Sequence, residues 1–184
     1  MSDEKFDAIV VGAGVAGTVA GYVMAKAGLD VLVIERGNSA GSKNMTGGRL
    51  YAHSLERIMP GFAQEAPLER KVTREKISFL TEESAVTLDF HREKDNAPAQ
   101  DSYTVLRNRL DPWLMEKAEQ AGAQFIPGVR GDALIREGTR VTGVQAGDDI
   151  LEANIVILAD GVNSILGRSL GMVPPSSAHH YALA

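Results

Sequence analysis

The residues Gly12-Ala13-Gly14-Val15-Ala16-Gly17 place three glycines in the spacing GxGxxG. They follow the apolar run Phe6 to Val11 and precede a run of small residues and helix formers, Val15 to Ala27. A turn of this kind holds a diphosphate: the first glycine permits the tight turn, the second lets backbone approach the phosphates, and the third lets a helix lie close on the sheet. The helix adds unpaired N–H groups and the positive end of its dipole. Glu35, 18 residues after Gly17, ends the second apolar run, Val31 to Ile34. A carboxylate there accepts hydrogen bonds from the hydroxyl pair of a ribose and disfavours a 2′-phosphate. A glycine turn in an ordinary βαβ unit explains the strand, the turn and the helix, but does not require all three glycines in this spacing together with a carboxylate at the end of the second strand.

Three weaker groups each carry two readings. Ala159-Asp160-Gly161-Val162-Asn163-Ser164 ends a late apolar run. Its carboxylate either stands at the sheet edge where open α/β folds bind ligands or caps the next helix. Gly47-Gly48-Arg49 allows close backbone approach, with Arg49 meeting a phosphate or an anionic ring, or it is a surface loop with a solvated arginine. Arg107 either reaches a cofactor or forms an ion pair with a neighbouring carboxylate. His179 and His180 are adjacent, so on a strand they point to opposite faces and do not chelate. His53 and His91 are lone histidines, Trp113 reads as packing, and the mixed charges from Glu69 to Lys76 read as a solvated face.

The elements that must position these groups follow from patterning. Phe6 to Val11 and Val31 to Ile34 are short, Val- and Ile-rich and read as buried parallel strands around a helix ended by Gly28. Arg36 to Leu50, with four glycines, reads as a loop, and Ser54 to Met59 as a short helix. Lys76 to Leu80 and Ala85 to Phe90 read as a hairpin across Thr81-Glu82-Glu83-Ser84, and His91 to Ser102 as an exposed loop. Tyr103 to Leu106 is a strand, and Asp111-Pro112 opens a helix to about Ala121, with Asp as N-cap and Pro at the first position. Gln124 to Ile126, Asp132 to Arg136, Arg140 to Ala146, Ile150 to Glu152 and Ile155 to Leu158 are strands, and Ser164 to Leu170 is a helix. Tyr181 to Ala184 reads as the opening of another strand. The fold class is α/β: a three-layer, Rossmann-like dinucleotide-binding fold with an inserted β segment and a β-meander. One domain spans 1–184: the βαβ unit at 5–36, the insertion at about 45–100, and the helix, meander and Asp-Gly strand at 103–171.

Composition bounds the function. The 184 residues carry a net charge of −5, are 44% hydrophobic and 23% charged, and include no cysteine. That excludes a disulfide scaffold, a thiolate metal site, a cysteine-ligated iron–sulfur cluster and a cysteine nucleophile within this chain. Mild acidity without a basic block argues against nucleic acid as a partner. No run approaches the roughly 20 apolar residues of a membrane helix. The acidic, polar start is unlike a secretory signal, so a cytoplasmic protein is expected, with peripheral contact at the inner membrane left open.

With these motifs in place, the chain resembles the electron-transfer flavoprotein–quinone oxidoreductase family, in its bacterial FixC-like branch, on the glutathione-reductase-2 fold. The most specific stretch runs from Val33-Ile34-Glu35-Arg36-Gly37 through Lys43-Asn44-Met45-Thr46-Gly47-Gly48-Arg49-Leu50-Tyr51-Ala52-His53. The resemblance continues through Tyr103-Thr104-Val105-Leu106-Arg107 and Leu158-Ala159-Asp160-Gly161-Val162-Asn163-Ser164. It implies FAD rather than NAD. Gly12, Ala13, Gly14, Val15, Ala16 and Gly17 would hold the pyrophosphate, Glu35 and Arg36 the adenosine ribose region, and Val129, Arg130 and Gly131 the adenine pocket. Arg107 would serve the flavin nucleotide, Gly48 and Arg49 would also belong to the cofactor site, and Ala159, Asp160 and Gly161 would close over the cofactor. It also implies electrons received from an electron-transfer flavoprotein and passed to a quinone-type acceptor. Members of that family continue into a substrate or quinone domain with a later Gly-Asp motif, so an N-terminal FAD-binding portion is expected here. The alternatives are an inactive truncated fragment and a geranylgeranyl-reductase- or monooxygenase-type flavoenzyme.

Overall fold

The computed structural model describes residues 5–91 and 101–173. The order of elements is β1 (Phe6–Val11), α1 (Val15–Lys26), β2 (Val31–Glu35), β3 (Gly47–Tyr51), α2 (Ala52–Ile58), a 3-10 turn at Phe62–Gln64, and β4 (Leu68–Lys71). The hairpin strands β5 (Arg74–Leu80) and β6 (Ala85–His91), β7 (Ser102–Leu106) and α3 (Arg107–Gln120) come next. The chain continues through β8 (Gln124–Pro127), β9 (Ala133–Glu137), β10 (Arg140–Ala146), β11 (Asp149–Leu158) and α4 (Ile165–Ser169). These elements divide into two compact units, Met1–Lys43 with Leu114–Ala184, and Asn44–Trp113.

The first unit is built on a six-stranded sheet in the order β8-β2-β1-β11-β10-β9. Strands β8, β2, β1 and β11 are parallel, whereas β10 and β9 join antiparallel. Burial on both faces explains why β1 and β2 read as unbroken apolar runs. Alternate residues serve opposite faces. Ala8, Val10, Val31 and Val33 pack with Ala25 of α1 and Met115 and Ala118 of α3. Ile9, Val11, Leu32 and Ile34 pack with Val144 of β10, Leu134 of β9 and Leu166 of α4. The parallel sheet is thus a middle layer between helices and meander.

The second unit holds a three-stranded antiparallel sheet, β3-β7-β4, and the separate two-stranded hairpin β5-β6. Its buried side chains include Leu55, Met59, Phe62 and Val105, with the Phe62 and Tyr103 rings edge to face, centroids 6.4 Å apart.

Several elements differ from the sequence expectation. Gly47 to Leu50 is not loop but the start of β3, because its backbone pairs with β7 from Gly47↔Leu106 to Tyr51↔Ser102. Part of the charged stretch from Glu69 is strand β4, held by β7 rather than by any apolar pattern of its own. Helix α3 begins at Arg107, and Pro112 lies inside it. Asp111 is no N-cap: it is fully buried and accepts hydrogen bonds from the side chains of Arg107 and Asn44. The two strands read at Ile150–Glu152 and Ile155–Leu158 are one, since β11 pairs with β10 along its first half and with β1 along its second. The strand opening at Tyr181 and the pair His179-His180 lie outside the described residues.

Candidate functional site

In the first unit the register brings three chain segments level. Val11 of β1 pairs with both Ile34 of β2 and Leu158 of β11, so Gly12, Glu35 and Ala159 leave the sheet side by side at its carboxyl edge. The chain leaves β1 towards β2 on one side, while β11 returns from the meander on the other. Such a divergence opens the crevice in which doubly wound sheets hold ligands.

Gly12 turns the chain with φ of 108° and donates its N–H to the Ile34 carbonyl at 2.8 Å. A Cβ there would sit 2.4 Å from the Ala159 carbonyl oxygen, so no side chain fits. At Gly17 a Cβ would lie 1.8 Å from the Gly12 oxygen. The turn is therefore packed as closely as a diphosphate loop demands. Helix α1 starts after Gly14 with no side-chain cap and no acidic residue in its first turn. Its first N–H groups thus have no side-chain acceptor, and with the dipole they suit an anion. Thr18, fully buried, is satisfied internally through the Gly14 and Val15 carbonyls.

The Glu35 carboxylate is clamped. Its Oε2 accepts the Ala13 N–H at 2.9 Å and its Oε1 the Gly37 N–H at 2.7 Å. Each oxygen keeps lone-pair capacity for a diol, because a carboxylate accepts about four hydrogen bonds. The Ala13 N–H, expected among the phosphate-facing groups, is committed to Glu35, which leaves Gly14, Val15, Ala16 and Gly17 for that role. Gly37 is a residue that reading by motif missed; only its spacing two residues beyond Glu35 marks it. Arg36 beside it is exposed.

The segment expected at the adenine approaches the same edge. Gly128 donates to the Gly37 carbonyl at 2.8 Å and Val129 to the Glu35 carbonyl at 2.9 Å. Residues 129–132 are irregular rather than strand. Gly131 sits where a Cβ would press on Val144, Val11 and Leu166 at 3.1–3.4 Å. The exposed Arg130 guanidinium pairs with Asp132 at 2.5 Å. The N–H of Gly147 and that guanidinium hold the Asp132 carboxyl below its ordinary range. Asp160 follows β11 and accepts the Leu166 N–H on Oδ2 at 3.0 Å. It therefore caps α4, and its Oδ1 has no partner among the described residues. Gly161 is exposed, with φ of 77°.

Three expected residues lie in the second unit. Gly48 is exposed, with nothing within 4 Å of a Cβ. Arg49 is not a solvated loop residue: it is in bidentate contact with Glu75, donates Nε to Ser102 at 2.9 Å, and lies over the Tyr51 ring at 4.6 Å. The adjoining cavity measures about 20 Å³, room for a water and not for a flavin ring. Arg107 forms the ion pair that was its other reading, Nε to Oδ1 and Nη2 to Oδ2 of Asp111, both at 2.7 Å. The Asp111 hydrogen bond holds the Arg107 guanidinium above its ordinary pKa. Asn44 donates to the same carboxylate at 2.8 Å. Asn44 and Asp111 are further residues that motif reading missed, since nothing in sequence joins positions so far apart. Among the described residues no group of three or more His, Cys, Asp or Glu could hold a metal ion.

The donor set fits a dinucleotide: a side-chain-free turn, an uncapped helix start and a fixed carboxylate at one sheet edge. Comparison with known proteins agrees. The family described as FAD binding domain matches residues 5–183. The chain is 83% identical over 183 residues to the probable electron transfer flavoprotein-quinone oxidoreductase YdiS of Escherichia coli K12, covering 100% of this chain and 43% of that protein. It is 58% identical over 183 residues to protein FixC of Salmonella typhi, again covering 100% of this chain and 43% of the relative. It therefore spans less than half the length of these relatives. Among solved structures, a geranylgeranyl bacteriochlorophyll reductase-like protein of Thermoplasma acidophilum is similar with a TM-score of 0.76 and 28% identity, over 91% of this chain and 42% of that one. The myxobacterial halogenase CndH shares the fold at a TM-score of 0.76 and 22% identity, over 90% of this chain and 39% of its own. The cofactor of the matching family is FAD. The chain belongs to the FAD-binding domain family, and within that family it is the FixC-like proteins that its sequence matches.

Proposed function

We propose that this chain is the FAD-binding part of an FAD-dependent oxidoreductase, one that accepts electrons from an electron-transfer flavoprotein and passes them to a quinone-type acceptor. The observation that carries the nucleotide site is Glu35, clamped by Ala13 and Gly37 level with the Gly12 turn, and FAD as the nucleotide is supported by the family match over residues 5–183. Donor and acceptor rest on the printed name of the relative at 83% identity. When bound, the isoalloxazine supplies the redox chemistry, and the protein supplies position and electrostatics.

Each residue then has a physical task. The N–H groups of Gly14 to Gly17 neutralise the pyrophosphate without a cationic side chain, through the helix terminus. Glu35 orients the adenosine ribose by its two hydroxyls, and Arg36 flanks it. The backbone from Val129 to Gly131 lines the adenine, while Ala159, Asp160 and Gly161 border the site from β11. For Arg107 we adopt the flavin-nucleotide role that the family resemblance gives it. Its Nη1 has no partner among the described residues, and Asp111 fixes the rest of the guanidinium. Gly48 and Arg49 are assigned to the cofactor site without a finer role, and Arg49 must release Glu75 to take it up. Among the described residues no helix is long and apolar enough to cross a membrane.

Two readings compete. A fragment that binds nucleotide without turnover draws on the 43% coverage, and a geranylgeranyl-reductase-type enzyme on the 28% identity to the Thermoplasma protein. Anaerobic mixing of the FAD-loaded chain with a reduced electron-transfer flavoprotein separates them. Bleaching of the flavin absorbance, reversed by a soluble quinone, is the expected result. Bound FAD that stays oxidised identifies the nucleotide-binding fragment, and reduction by a nicotinamide instead identifies the reductase type.

A further inference from the structure

The hairpin β5-β6 has two unlike faces. In an antiparallel pair, directly opposed residues share a face. Arg74, Lys76, Ser78, Thr87 and Asp89 therefore lie together, laced by Arg74–Asp89 at 2.5 Å, Lys76–Asp89 at 3.6 Å and Ser78–Thr87 at 2.9 Å. The other face is Ile77, Phe79, Val86, Leu88 and Phe90, which are 55%, 64%, 66%, 61% and 59% exposed. Only Glu75 interrupts it, and Arg49 neutralises that charge.

This alternation is that of a sheet with one face in a core and one in water. Yet among the described residues the two strands pair only with each other. A lone two-stranded ribbon is marginal in water, and a contiguous apolar patch of this kind marks an interaction surface. We propose that the face formed by Ile77, Phe79, Val86, Leu88 and Phe90 is a docking surface for the polypeptide that makes up the rest of the FixC-like relatives, whether joined to this chain or supplied separately. Two observations favour that occupant. More than half the length of the relatives lies outside the part this chain matches, and a polypeptide of that size needs apolar surface to pack on. The face carries no net charge to select an acidic or basic partner. The proposal concerns packing and stands whether or not the electron-transfer reading holds.

The absence of cysteine makes the test clean. Leu88→Cys places a thiol on the apolar face and Thr87→Cys one on the polar face. Each is introduced into this chain alone and into a chimera in which the chain is fused to the unmatched portion of the Escherichia coli relative. Maleimide labelling is read by mass at the engineered peptide. The expected result is rapid labelling of both sites in the chain alone, with Leu88→Cys slowed about 100-fold in the chimera, because labelling must await local opening. Thr87→Cys should change little. Equal labelling of Leu88→Cys in both contexts overturns the proposal. So does concentration-dependent shielding in the chain alone, which assigns the face to a second copy, or shielding by phosphatidylglycerol vesicles but not in the chimera, which assigns it to a membrane. Co-expression of the chain with the same polypeptide unfused gives a second reading: copurification lost on Phe79→Lys with Leu88→Lys supports the proposal, and copurification unaffected by them contradicts it.

Discussion

Glu35 does two things at once at the scale of single residues. By accepting the Ala13 and Gly37 N–H groups it ties the glycine turn to the end of β2, and by the same bonds its carboxylate is held in place for the ribose contact we propose. A motif read along the chain supplies the carboxylate and the glycines but not the clamp, because Gly37 becomes its partner only through the turn after β2. Arg107 shows the opposite case. Its sequence neighbourhood offered cofactor or ion pair, and the structure commits two of its three nitrogens to a carboxylate with no solvent exposure. Replacing Asp111 with Ala leaves Arg107 and Asn44 facing a buried site without an acceptor. We expect a loss of about 3 kcal/mol, read as a lower urea midpoint, in line with the cost of breaking a buried pair. Removing both partners, Arg107→Leu with Asp111→Leu, should recover most of it, since no unpaired charge remains. If the single change leaves the midpoint in place, the pair has no structural weight.

At the scale of elements, local pattern succeeded where an element's own residues decide its state. The strands β1 and β2 are buried on both faces, so their apolar runs announce them, and the β5-β6 hairpin shows its alternation plainly. The pattern was silent where a partner decides. Strand β3 is Gly-Gly-Arg-Leu-Tyr and β4 is Leu-Glu-Arg-Lys, and both are strands because β7 lies between them. Helix α3 starts five residues before Pro112, where proline statistics place a beginning, because the burial of Asp111 holds the turn ahead of it. The hairpin's polar face carries its own electrostatic signature. The Arg74 guanidinium holds the Asp89 carboxyl near a pKa of about 2, below the ordinary 3.8. A depressed carboxylate pKa stabilises the fold above the ordinary value, and that contribution drains away as pH falls from about 3.8 towards 2. Carbon-detected NMR titration should place the Asp89 midpoint near the lower value in the wild type and near the ordinary one in Arg74→Gln. An ordinary midpoint in the wild type would mean that the cross-strand pair does not persist in solution.

At the scale of the whole molecule, two compact units share one chain that spans 43% of its FixC-like relatives. The first unit holds the dinucleotide crevice with its own core on both sheet faces. The account's central claim is that this crevice takes FAD through the Gly12–Gly17 turn and Glu35. The measurement that tests it most directly is a visible-absorption titration of the purified chain with FAD, beside Glu35→Ala. The account predicts stoichiometric binding by the wild type. Losing the charge-assisted ribose contacts should cost about 1.5–3 kcal/mol, weakening affinity in Glu35→Ala by roughly ten- to a hundredfold. Saturable binding with equal affinity in both proteins, or no binding by a folded wild-type chain at tens of micromolar, would contradict it.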